Sequence, residues 1–170
     1  AYRAAIKQSR NSCHEQAEDY LNLAQGLTNL SRESNSQLQS LASEAVEAIK
    51  AVEKRFSTQP IVKMRGKLVE ADLYHIQKLE EQANQATSEA LRIHKEMRFS
   101  AIQNTSAQLC IDCAQAFMNF GEYDAGEQLL QELARINKDP DIAIQLDKLL
   151  REPLTREGMQ LAAKLNKQGI

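Results

Sequence analysis

From Tyr2 to Asn104 the apolar residues of this chain recur in steps of three and four, and only Ser57-Thr58-Gln59-Pro60 interrupts them with a strong breaker. Steps of three and four line up side chains along one face of an α-helix. Proline lacks the amide hydrogen and disfavours helix at the residue before it, so one helix ends and another begins there. Six glycines and three prolines among 170 residues leave little of the punctuation that strands and tight turns need. No stretch alternates with the period of a strand. The expected class is all-α.

In the first half, Ile6, Cys13, Tyr20 and Leu27 lie seven residues apart, flanked by Ala17, Leu23, Ala24 and Leu30. The polar run at 31–36 is either a turn or a solvated stretch of helix, since Ser and Asn compete for backbone hydrogen bonds. Leu41 and Ala48 keep the register of Leu27, which favours one continuous helix to about Phe56. From Ile61 to about Asn104 the seam reads Val69, Ile76, Leu79, Ala83, Ala86, Ala90, Ile93 and Met97, with Asp72 in the one gap. Gly66 is tolerable inside such a helix at about 1 kcal/mol. At about 1.5 Å per residue the helix would be roughly 65 Å long. Residues 1–104 are therefore expected to form a long antiparallel, coiled-coil-like hairpin with its tip at 57–62. Residues 105–170 form a second helical region. Asn104-Thr105-Ser106 caps or kinks the chain before it, Asp139-Pro140-Asp141 opens a further helix, and Glu152-Pro153 closes it. A last short helix carries Met159, Leu161, Ala162 and Leu165. Ala1 stands inside a helical pattern, as in a processed chain or an excised fragment.

Residues 107–140 read as two amphipathic helices joined by Gly121-Glu122-Tyr123-Asp124. Cys110, Cys113-Ala114 and Phe117 occupy the packing positions of the first helix, and Gly126 and Leu130 those of the second. This stretch resembles a single tetratricopeptide repeat, the turn most closely. It departs from the pattern in having Cys110 for the bulky first residue, Gly126 for the small alanine, Leu130 for the aromatic, and Pro140 two residues late. The resemblance implies a helical hairpin that packs on its neighbours and presents a protein-docking surface. It also gives both cysteines a packing role.

Chemical alternatives are thin. Cys110-Ile111-Asp112-Cys113 has the spacing of zinc ligands and redox pairs, but no second such pair follows, and no βαβ context surrounds it. Asp72 and His75 sit one helical turn apart, like half of a di-iron bundle site whose other half is missing. His94 has no acid three or four residues before it, and His14 follows Cys13. No nucleophile elbow or phosphate-cradling glycine loop occurs. The expectation is a protein that is not an enzyme, with no metal and no cofactor. No run approaches the roughly 18 apolar residues of a membrane span. Three cysteines form no disulfide framework, so a reducing, cytoplasmic setting is expected.

The net charge is −2 and mean hydropathy −0.50, which fits a folded chain with no global pull toward polyanions. One local exception stands out. Lys50, Lys54, Arg55, Lys63, Arg65 and Lys67 cluster about the expected tip, opposed only by Glu53, with Phe56, Ile61, Val62 and Met64 among them. The reading that follows is a scaffold, adaptor or assembly module that binds a protein partner or a second copy of itself. The alternative is a helical protein that binds nucleic acid or an anionic membrane surface through the basic tip.

Overall fold

A computed structural model describes residues 13–33, 38–151 and 164–165. Among these, every regular element is helical: α1 Cys13–Glu33, α2 Leu38–Arg55, α3 Pro60–Ile76, α4 Glu80–Glu96, α5 Ser100–Gln103, α6 Ala107–Asn119, α7 Tyr123–Ile136 and α8 Pro140–Leu150. The all-α class stands. No helix among the described residues is long and apolar enough to cross a membrane. Of the expected helix beyond Pro153 only residues 164–165, which are helical, are described, and the start of the first helix lies outside the described residues.

The helices are shorter than their spacing implied. α1 packs against α2, α3 against α4 and α6 against α7, so three hairpins follow one another. A single helix running to Phe56 is thereby corrected to two. Heptad register survives equally well in a continuous helix and in two that pack on each other, so it could not tell them apart. The break at 57–59 is real, but it joins the first hairpin to the second rather than capping one long hairpin.

The helix expected from Ile61 to Asn104 also ends early, at Ile76. Lys78 adopts φ 59°, the left-handed region. Its amide donates to the His75 carbonyl, and the Leu79 amide reaches back to the Tyr74 carbonyl at 2.9 Å. This pair of bonds closes a helix C-terminus. α4 then folds back, with Ala83, Ala86 and Ala90 buried on α3.

α3 is the hub, touching α1, α2, α4, α5 and α6. Its Ile61, Val62, Met64, Leu68, Val69, Ala71 and Leu73 are all buried. At 3.6 residues per turn these positions sweep roughly 200° of its circumference, far wider than a surface helix needs. The main core runs from Leu21 and Val52 through α3 to Leu109, Phe117, Leu129 and Leu146. The first helices of the hairpins lie parallel. Gln25 and Arg32 of α1 pair with Arg65 and Asp72 of α3, while Arg65 lies near Asp112 of α6 and His75 stacks on Phe120 just past its end.

Candidate functional site: a polar crevice between three helices

Two charged residues interrupt the buried arc of α3. Arg65 and Asp72 are seven apart, so they share the face turned toward α1 and α6. There α1, α3 and α6 enclose a crevice of about 410 Å³. Gln25, Asn29 and Arg32 form one wall, and Asp112, Gln115 and Asn119 the other. Leu68 and Asp72 lie with Arg65 on the floor, and Phe120 closes one side. Ser106, the N-cap of α6, donates its hydroxyl to Glu18 of α1 and so ties these two helices together. The same oxygen accepts from the Leu109 amide at 3.1 Å, which fixes where α6 begins.

A hydrogen-bonded relay crosses the floor. The Asp72 carboxylate accepts from Arg32 at 2.7 Å and from the Gln25 amide nitrogen at 3.0 Å. The Gln25 amide oxygen accepts from Arg65 at 3.1 Å. Burial pushes the Arg65 guanidinium below its ordinary pKa, and the nearby Cys113, Asp112 and Asp72 counter that only in part. A half-desolvated charge is costly unless other groups answer it. Asp72 has two donors answering it. Arg65 has one neutral acceptor.

The residues of the expected basic tip are spread over α2 and α3. Lys50 and Lys54 are exposed on α2, and Arg55 lies over the Tyr20 ring at 5.4 Å. Lys67 is paired with Glu53 at 2.8 Å and with Glu70 at 3.1 Å. Lys63 faces a shallow hollow beside Arg92 and Glu96. Arg65 belongs to the crevice. Lys63 and Lys67, one turn apart, both act on Glu89 of α4, whereas Arg65 lies on the other side of α3.

The expected packing residues of the third hairpin fall as follows. Cys110, Cys113, Ala114, Phe117 and Leu130 are fully buried, and Tyr123 is half-buried at the start of α7. Gly121 takes φ 81° at the turn, and a Cβ on Gly126 would meet the Ala114 carbonyl oxygen at 2.7 Å. Both thiols are free. Burial pushes Cys110 up to about 12 and Cys113 higher still, so neither offers a thiolate near neutrality. Asp72 and His75 part company as well: Asp72 turns to Arg32, and the His75 Nδ1 lies 3.1 Å from Glu80. No group of three or more His, Cys, Asp or Glu able to hold a metal ion occurs among the described residues. His94 is buried with its ring edge on Phe117, and its Nε2 has no hydrogen-bond partner. Burial, then Lys95, lowers its pKa.

Sequence reasoning missed Gln25, Asn29, Arg32, Asp112, Gln115 and Asn119 as a group, since they come from helices far apart in the chain. One signal was present. Asp72 fills a gap in an apolar seam, and Arg65 lies seven residues before it on the same face. No family model, no curated protein and no solved structure matches this chain.

Proposed function

We propose that the chain is a non-catalytic interaction module, a scaffold or assembly part that docks a protein segment or a second copy of itself on the face made by α1, α3 and α6. One observation carries this reading. The first helices of three successive hairpins run parallel and side by side, so their outward residues form one continuous surface built from distant parts of the sequence. Stacked hairpins serve commonly as binding surfaces of this kind. The tetratricopeptide-like pattern at 107–140 agrees with it. The departure of Arg65 to the crevice and the pairing of Lys67 with Glu53 and Glu70 give less support to a nucleic-acid or membrane surface. The buried free thiols accord with a reducing, cytoplasmic setting.

A photo-crosslinking amino acid at Asn119, on the crevice wall, should capture a partner chain or a second copy. The same probe at Gln85, on the outer side of α4, should capture neither. Equal capture from both positions, or a lone monomer at both, would overturn the reading.

A further inference from the structure

Four charged side chains line the crevice, and their signs cancel: Arg32 and Arg65 against Asp72 and Asp112. Arg32 and Asp72 answer each other directly at 2.7 Å. Among the described residues the other two have no ion-pair partner. A guanidinium has five donors, and Arg65 uses one of them, on Gln25. Asp112 accepts one hydrogen bond, from the neutral Gln108 amide at 2.9 Å through Oδ1. No ion pair joins Arg65 to Asp112, although Asp112 lies close enough to favour the charged arginine.

Among the described residues, a cation and an anion without ion-pair partners thus face one half-enclosed space. Its volume, about 410 Å³, falls within the range of small-molecule sites, about 300–1,000 Å³. A simple anion drawn to Arg65 would meet the carboxylates of Asp112 and Asp72. A simple cation drawn to Asp112 would meet two guanidiniums. A molecule carrying both charges a few bonds apart meets neither repulsion.

We propose that the crevice binds a free α-amino acid, its carboxylate on Arg65 and its ammonium on Asp112. The side-chain amides of Asn29, Gln115 and Asn119 at the mouth offer donors and acceptors to a polar, uncharged side chain, so L-glutamine is the probe of choice. This goes beyond the docking reading and needs no partner chain.

Titration calorimetry of the full chain should show one L-glutamine bound per chain. N-acetyl-L-glutamine lacks the ammonium and L-glutaminamide lacks the carboxylate, and each should bind at least about tenfold more weakly. Asp112→Asn, a near-isosteric change at a half-buried position, should weaken L-glutamine to the same degree while leaving the helical circular dichroism unchanged. Arg65→Lys keeps the charge but removes the fork, and should also weaken binding. Three results would overturn the proposal. One is the absence of saturable binding by L-glutamine and every other standard amino acid at millimolar concentration. Another is equal binding of the blocked analogues. The third is Asp112→Asn binding as the unaltered chain does. A peptide blocked at both ends that binds where L-glutamine does not would sink this proposal and leave the docking reading standing.

Discussion

The second and third hairpins end their first helices in the same way but with different residues. At the end of α6, Gly121 is left-handed, its amide bonds to the Met118 carbonyl, and the Glu122 amide reaches back to Phe117. At the end of α3 the same two bonds form around Lys78, which is left-handed too. Each hairpin also carries a glycine within a helix. Gly126 of α7 lies against the Ala114 backbone, where a Cβ would meet oxygen at 2.7 Å. A Cβ on Gly66 of α3 would meet nothing closer than 4.0 Å. The third hairpin has glycines where geometry demands them. The second has one where nothing demands it and lacks one where the backbone would welcome it. A turn is legible in sequence only when its residue is the one the geometry prefers.

The contrast can be broken at several points. The largest effect is expected from Gly126→Val, which forces α6 and α7 apart. Overpacking against backbone should cost about 3 kcal/mol, read as a lowered urea midpoint, and an unchanged midpoint would deny the close crossing. Gly121→Ala has room but must hold a left-handed backbone, so it should cost about 1–2 kcal/mol. The third test lies on the seam between the two hairpins, at His94 of α4 against Phe117 of α6. The pKa of His94 is lowered in the folded chain, so the unfolded chain takes up its proton first as pH falls below about 6.5. Stability should therefore be flat in this group above 6.5. Below it, stability should decline by up to about 1.4 kcal/mol per pH unit until the folded pKa is reached. His94→Leu should remove that slope, and a slope that persists would place its origin elsewhere.

The two smallest effects have the opposite sign. Gly66→Ala should stabilise the chain by up to about 1 kcal/mol, because the site has room and alanine favours helix. Lys78→Gly should stabilise by about 0.5 kcal/mol, the relief of a left-handed lysine less the extra freedom glycine brings to the unfolded chain. Thermal melts can resolve both. A loss of stability in either variant would mean that the second hairpin uses these residues for something other than its backbone.

The same distinction explains what could be read in advance. The all-α class, the break at Pro60, the turn at Gly121 and the helix opening at Asp139-Pro140 each rest on a residue with a strong local preference. The reversal at Lys78 does not, because it is imposed by the gain from burying the alanine stripe of α4 on α3. The crevice was hidden for a related reason. Its lining comes from Gln25, Asp72 and Asn119, which become neighbours only when three helices lie parallel. Counting bases along the chain put Arg65 with Lys63 and Lys67, whereas counting around the helix puts it with Asp72.

The hydrogen bond between Glu18 and Ser106 spans 88 residues of sequence. In a one-dimensional array each unit meets only its neighbours, and the ends can fray while the middle holds. Here one side-chain contact joins the first hairpin to the third across the second, a link that a strictly linear array lacks. Amide exchange in α1 and at the start of α6 should therefore be coupled.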